Sequence, residues 1–150
     1  MRFLFSFVFL ITTVFMASGQ EKEVSSSLYA NSVKEITAML NNDAKHWSEG
    51  NIEAFMESYI KSDSLVFVGS RGLTYGWQQT LENYKKGYPT KEHMGQLSFD
   101  LIEFKQLASD IFFVIGKYKL KRTVGDASGY FSILLKKIGR NCKIIADHSS

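Results

Sequence analysis

The chain has 150 residues and a formal net charge of +3, with 18 Lys and Arg residues against 15 Asp and Glu residues. This mild and dispersed charge gives no reason to expect binding to nucleic acid or to an anionic membrane. The length suits one domain, and the single cysteine, Cys142, excludes an intramolecular disulfide. Stability must therefore come from a hydrophobic core, and the position of Cys142 in an apolar segment favours a buried thiol.

The N-terminal segment has the form of an export signal. Arg2 supplies a positive charge, an uncharged apolar run extends from Phe3 to Met16, and Ala17-Ser18-Gly19 offers small residues for cleavage. The run is shorter than the ~20 residues of a membrane-spanning helix, so a signal is favoured over an anchor. We predict a signal peptide over 1–19, rather than an uncleaved helix. The protein is then exported (periplasmic or secreted), with no membrane attachment after cleavage.

A single domain over 32–150 is predicted to follow a flexible, serine-rich lead-in over 20–31. Ser32-Val33-Lys34-Glu35 has the form of a capping box, which predicts the start of a helix. Gly50 predicts its end. The apolar residues between them recur at helical spacing: Val33, Ile36, Leu40, Ala44 and Trp47.

Two more helices and a short strand are predicted in the first half. Asn51 can cap a helix that continues to about Asp63, and another helix begins near Trp77 and stops at Gly87. Between these helices, Leu65-Val66-Phe67-Val68 is typical of a short strand. The residues from 70 to 76 are typical of a turn-rich connection.

The second half changes from helical to alternating periodicity. Four strands are predicted, separated by hairpin loops, over Leu97–Leu107, Ile111–Arg122, Gly129–Ile138 and Cys142–His148. Helices followed by an antiparallel meander predict an α+β fold, in which a curved sheet wraps three helices and leaves a tapered space. Strict alternation places His148 on the inner, more apolar face of the last strand and Asp147 on the other face.

The order of several short motifs resembles a known family. The motifs of the first half are Asp43-x-x-x-Trp47-x-x-Gly50-Asn51, Phe55-Met56-x-x-Tyr59-x-x-x-Asp63, Phe67 and Gly72-x-x-x-Gly76-Trp77. Those of the second half are Tyr84-x-x-x-Tyr88-Pro89, Met94-Gly95, Gly116, Gly129-Tyr130-Phe131 and Ile144-Ile145-x-Asp147-His148-x-Ser150. Together they cover nearly all of the chain after 1–19. They resemble the SnoaL-like branch of the nuclear-transport-factor-2-like (NTF2-like) superfamily. Bacterial families of unknown function related to the association domain of calmodulin-dependent kinase II are the most similar.

This resemblance implies a cone-shaped, cystatin-like roll, a pocket at its open end, and a homodimer formed through the outer face of the sheet. It does not settle the function, since the same scaffold serves isomerases, cyclases, dehydratases, binding modules and assembly modules. The chain departs from the family pattern at Cys142, where Trp is common.

The adjacent residues Asp147 and His148 are the candidates for acid–base catalysis, because an imidazole or a tuned carboxylate can transfer protons near neutral pH. A structural role is the alternative for both. Neighbours on a strand also face opposite sides unless a bulge intervenes. The predicted first strand carries no acid, whereas isomerases of this superfamily use one there. This absence favours binding over catalysis.

Six aromatic residues are candidates for holding a flat apolar or aromatic ligand, with an ordinary core role as the alternative: Trp47, Tyr59, Phe67, Trp77, Tyr84 and Tyr118. Arg71 could meet an anionic ligand, although a surface role is favoured. No His or Cys spacing indicates a metal site, and no motif indicates a cofactor. Two hypotheses result: an exported small-molecule-binding domain, or a SnoaL-like enzyme (isomerase, cyclase or lyase) that uses His148.

Overall fold

The computed structural model describes the backbone of residues 5–150 and the side chains of residues 26–150. The chain forms two compact units, Met1–Glu35 and Ile36–Ser150, and the sheet and the site described below belong to the second unit. Helix α1 extends over Phe5–Ser48 and enters both units. The signal peptide over 1–19 stays a prediction, and its first four residues lie outside the described part.

Two predictions for the start of α1 are wrong. The backbone over 20–31 is helical where a flexible lead-in is predicted, and Ser32 lies inside the helix instead of at its start. The physical reason is that no Gly or Pro occurs between Gln20 and Glu49, so nothing in the backbone stops the helix before Gly50. The predicted end at Gly50 agrees with its φ of 86°.

The second helix is shorter than predicted. Helix α2 covers Ile52–Phe55, capped by the Asn51 side chain, which accepts a hydrogen bond of 3.0 Å from the backbone N–H of Ala54. A 3-10 turn over Met56–Ser58 follows, and the chain is extended from Tyr59. The helix ends there because Tyr59 joins the sheet as a bridge partner of Ile144, where backbone pairing replaces helical bonds.

Two further helices complete the helical elements of the second unit. Helix α3 covers Trp77–Gly87, as predicted. Helix α4 is a single turn over Lys91–Met94 that the sequence did not predict. Hydrogen bonds link both helices to the rest of the unit: the α3 residue Trp77 donates to the carbonyl of Met56, and the carbonyl of the α4 residue Met94 accepts from Trp47 on α1.

The sheet has six strands in the order β2-β1-β6-β5-β4-β3 and is curved but not closed. The strands are β1 (Val66–Gly69), β2 (Gly72–Tyr75), β3 (Gln96–Ala108), β4 (Ile111–Lys121), β5 (Ala127–Ile138) and β6 (Asn141–Ser149). The α+β fold with its curved sheet and N-terminal helices is confirmed. Two details differ: β2 occupies the predicted turn region, and β1 pairs with β6 in parallel.

Side chains alternate along β4 between the buried side of the sheet and the half-buried or exposed side. Phe112, Val114 and Leu120 are buried there. Gly116 belongs to the same row, and a Cβ at this position would overlap the ring of Phe131 on β5. A glycine is therefore required for the two strands to pack with this ring between the sheet and the core.

A bulge in β6 decides which of its side chains face inward. Ala146 pairs with Leu134, but Ile144 pairs with the next residue, Leu135, so Ile145 is an extra residue. Ile144 and Asp147 are consequently both buried, at 2% and 6% exposure. His148 is exposed, so its predicted position on the inner face is wrong.

Candidate functional site

A cavity of about 220 Å³ lies between the helices of the second unit and the sheet. Five of the six predicted aromatic residues line it: Trp47, Tyr59, Phe67, Tyr84 and Tyr118. The sixth, Trp77, is not among the lining residues. Its indole N–H donates to the carbonyl of Met56 at 2.9 Å, and the ammonium of Lys61 lies 5.0 Å from its ring centre.

The aromatic wall is held by edge-to-face contacts around Trp47. The Trp47 ring centre lies 5.0 Å from that of Phe55, 5.6 Å from that of Tyr84 and 4.7 Å from that of Tyr88. Its indole N–H donates to the carbonyl of Met94 at 2.8 Å, which fixes the ring. Each such pair contributes roughly 0.5–1.5 kcal/mol beyond the burial of its surface, so these contacts stabilise the arrangement of the rings.

Asp147 is the buried acid at the β6 end of the cavity. The Tyr59 hydroxyl donates to its Oδ2 at 2.6 Å, and the Ser149 hydroxyl donates to its Oδ1 at 3.0 Å. Burial raises the pKa of Asp147 to about 6, although these two donors and the nearby His148 lower it. The carboxyl group can therefore gain or lose a proton near neutral pH.

Tyr59 and Tyr84 lie beside this acid, and each phenol affects the pKa of the other. Burial raises the pKa of both phenols well above the ordinary value, and the charge of Asp147 raises it further. Both hydroxyls thus stay protonated in neutral solution and act as hydrogen-bond donors. The predicted residues Asp147, Tyr59 and Tyr84 come together here, whereas His148 points away.

Asp43 is a second buried acid in the cavity that the sequence reasoning missed. It lies on α1 at 3% exposure and accepts a hydrogen bond of 2.7 Å from the Ser58 hydroxyl at its Oδ1. Burial raises the pKa of Asp43 to about 7, and the lowering effects of Ser58 and Lys143 do not compensate. The sequence did indicate that Asp43 is buried, because its spacing places it on the same helical face as Leu40 and Trp47.

The rim of the cavity is polar and carries a basic residue. Arg71 lies exposed in the turn between β1 and β2, and its guanidinium donates to the carbonyl of Asn83 at 3.4 Å. The Asn83 amide donates in turn to the Thr74 hydroxyl at 3.2 Å. The site therefore combines a polar rim, an aromatic wall and two buried carboxyl groups.

The described residues contain neither a cluster of metal ligands nor a membrane-spanning helix. No three His, Cys, Asp or Glu side chains in this part of the chain are grouped closely enough to hold a metal ion. Among the same residues, no helix has the length and apolar character needed to cross a membrane. Cys142, the sole cysteine of the chain, is half-buried rather than fully buried.

Comparison with known proteins gives the family. No profile of a known protein family matches, and no curated protein matches. Among solved structures, an NTF2-like protein of unknown function from Shewanella oneidensis MR-1 is 34% identical, with a TM-score of 0.75. The match covers 79% of this chain and 98% of that chain.

Two more distant structures share the fold. A ketosteroid isomerase-like protein from Erwinia carotovora atroseptica is 19% identical over 78% of this chain and 93% of that chain, with a TM-score of 0.60. A putative calcium/calmodulin dependent protein kinase II association domain from Xanthomonas campestris is 15% identical over 77% and 84%, also at 0.60. From its identity to the Shewanella protein over nearly that whole chain, the protein belongs to the NTF2-like superfamily.

Proposed function

We propose that the protein is an exported domain that binds a flat, mainly apolar small molecule in the cavity. The observation that carries the proposal is the aromatic-walled cavity of about 220 Å³ with two buried carboxyl groups. A carboxyl group in a core costs free energy that an apolar side chain of similar volume would not. Asp43 and Asp147 are therefore better explained as contacts for a ligand than as parts of a structural core. The pattern of residues 1–19 supports the export.

Titration with 2-naphthol, a flat two-ring probe with one hydroxyl group, tests the binding. We expect saturable heat in isothermal calorimetry. A Phe67→Ala substitution should weaken the affinity about tenfold, because it removes part of the aromatic wall. Tyr75→Ala is the matched control, since Tyr75 is an exposed aromatic residue that does not line the cavity. Absence of saturation, or equal weakening by both substitutions, would contradict the proposal.

The outer face of the sheet supports a homodimer as part of this proposal. Phe113 and Ile115 on β4 and Leu134 on β5 are apolar residues of the face opposite the core, and each is only half-buried. Light scattering should give twice the monomer mass. Leu134→Asp should reduce the measured mass to that of the monomer. Ser132→Asp, at the edge of this patch on the same strand, should reduce the measured mass less. A monomeric unaltered protein would contradict this part.

A second candidate function is acid–base catalysis by the cavity. It is favoured by Asp147, whose carboxyl group has a pKa of about 6 and a hydrogen bond from Tyr59. A group with this pKa can take a proton from carbon beside a carbonyl and return it. Asp147, with Tyr59 as the hydrogen-bond donor, replaces His148 in this role. The absence of an acid on β1 keeps this candidate second.

Deuterium exchange at the position between the ring and the carbonyl of 2-tetralone, followed by NMR, tests the catalysis. The protein should accelerate the exchange over buffer, and Asp147→Asn should remove the acceleration while 2-naphthol still binds. His148→Ala should leave it unchanged, because His148 is exposed. No acceleration over buffer would leave only the binding function.

A further inference from the structure

We propose that the ligand of this cavity is a flat organic cation, such as an aromatic amidinium, held between the aromatic wall and the carboxylates of Asp43 and Asp147. This inference rests on the proposed binding function and names the chemical class of the ligand. It follows from the charges of the lining residues, from the partners of the two acids and from the aromatic wall.

The acidic and basic residues that line the cavity lie at different depths. Both acids are buried, with 3% exposure for Asp43 and 6% for Asp147. Among the described residues that line the cavity, Arg71 is the one Lys or Arg, and it is exposed at the rim. A cation inside the cavity thus meets two carboxylates at close range, whereas an anion would have to stay at the rim.

The two acids have hydrogen-bond donors but no cation in direct contact. Asp43 accepts from Ser58, and Asp147 accepts from Tyr59 and Ser149. Within the described part of the chain, no ion pair joins either acid to Lys or Arg. Since a carboxylate has about four acceptor positions, both acids can accept further hydrogen bonds from a ligand.

The aromatic wall fits the same ligand. A cation near the face of Trp or Tyr is attracted by the ring quadrupole, and more strongly when water is excluded. An amidinium is planar and carries several N–H donors, a geometry that pairs well with a carboxylate. Trp47 lies one helical turn after Asp43 on α1, and Tyr59 donates directly to Asp147, so each acid has an aromatic neighbour.

If a cation binds to the carboxylates of Asp43 and Asp147, its affinity must depend on pH. Asp43 is faced by Ser58 and, at longer range, by Lys143. Asp147 is faced by Tyr59, Ser149 and Tyr84, and the exposed His148, its neighbour on β6, acts on it only through its charge. Burial raises the pKa of both acids, to about 7 and about 6, so each is partly protonated in weakly acidic solution. A cation favours the ionised form, so its affinity should rise with pH through this range.

Three probes with the same two-ring skeleton test the charge: 2-naphthamidine (positive), 2-naphthamide (neutral) and 2-naphthoate (negative), titrated by calorimetry into the full chain. At pH 8 we expect the amidine to bind at least tenfold more tightly than the amide, and the naphthoate to bind most weakly. At pH 5.5 the affinity for the amidine should fall at least tenfold. The amide should change less than threefold, since none of the probes changes its own charge in this range.

Substitutions assign the effect to the acids. Asp43→Asn and Asp147→Asn should each weaken the amidine at least tenfold at pH 8 and change the amide less than threefold. Glu103→Gln is the control, because it also removes one negative charge, but at an exposed site outside the cavity. If either Asn variant fails to fold, the three probes and the pH dependence on the unaltered protein decide alone.

The outcomes separate this inference from the proposed function. Equal affinity for the three probes, or tightest binding of naphthoate through Arg71, overturns the cation proposal and leaves small-molecule binding intact. Loss of amidine affinity in Glu103→Gln overturns it as well, because the effect would then be a long-range one. If none of the three probes binds while 2-naphthol does, only the cation proposal fails; if 2-naphthol does not bind either, both the cation proposal and the binding function fail.

Discussion

Replacing Asp43 by Asn should stabilise the protein in neutral and alkaline solution. Asn has nearly the same shape and carries no charge, and its side-chain carbonyl can still accept the hydrogen bond from the Ser58 hydroxyl. The substitution therefore removes only the charge from a side chain with 3% exposure. The result isolates the cost of burying that charge.

The size of the effect follows from the pKa of Asp43. Burial raises it from 3.8, the ordinary value that holds in the unfolded chain, to about 7 in the folded protein. Between these values the folded state binds a proton that the unfolded state lacks, so stability falls as pH rises from about 4 to about 7. Each pKa unit corresponds to about 1.4 kcal/mol, so the loss reaches about 4 kcal/mol above pH 7. The Asn variant does not lose this stability, because its side chain carries no charge at any of these pH values.

Urea unfolding followed by tryptophan fluorescence measures the difference at several pH values. We expect Asp43→Asn and the unaltered protein to have similar free energies of unfolding at pH 4. As the pH rises, the free energy of unfolding of the variant should increase relative to that of the unaltered protein. By pH 8 the variant should be more stable by about 4 kcal/mol. Glu103→Gln should show no such trend, because Glu103 is exposed. Equal or lower stability of Asp43→Asn at pH 8 would refute the reasoning, because the buried charge would then cost the folded state nothing.

Three other substitutions test the fold around the site. Gly116→Ala should destabilise the protein by about 1–3 kcal/mol in urea unfolding, because its Cβ would overlap the ring of Phe131; no loss would mean that this ring moves freely. Trp77→Phe should cost about 1–2 kcal/mol, because the carbonyl of Met56 loses its donor, yet calorimetry should show unchanged affinity for 2-naphthol. His148→Ala should change the free energy of unfolding by less than about 0.5 kcal/mol, as expected for an exposed side chain. A larger change would place the imidazole in a contact.

Local patterns were sufficient to predict most of the elements. The four long strands follow from alternating side chains and turn residues, and α3 follows from Trp77 at its start and Gly87 at its end. These elements depend on neighbours in the sequence, which is the information that a pattern contains. The six aromatic candidates were chosen by residue type, and five of them line the cavity.

The errors occurred where pairing between distant segments decides the structure. Nothing in Cys142-Lys143-Ile144-Ile145-Ala146-Asp147 marks Ile145 as an extra residue, because the bulge exists only in relation to β5. One extra residue exchanges the faces of Asp147 and His148, and so exchanges the two candidate acid–base groups. Tyr59 left its predicted helix for a similar reason, since its bridge with Ile144 on β6 is a long-range contact.

The Asp43→Asn substitution distinguishes a structural role of Asp43 from a functional one, because it should raise the stability of the protein and weaken the binding of a cationic ligand. If the acid served only the fold, Asp43→Asn would be neutral or destabilising at pH 8. A group that costs the folded state about 4 kcal/mol at that pH is instead expected at a site where binding needs the charge. Greater stability together with weaker binding of 2-naphthamidine would therefore identify Asp43 as a ligand-binding residue whose charge the fold does not need, and unchanged binding would refute that assignment.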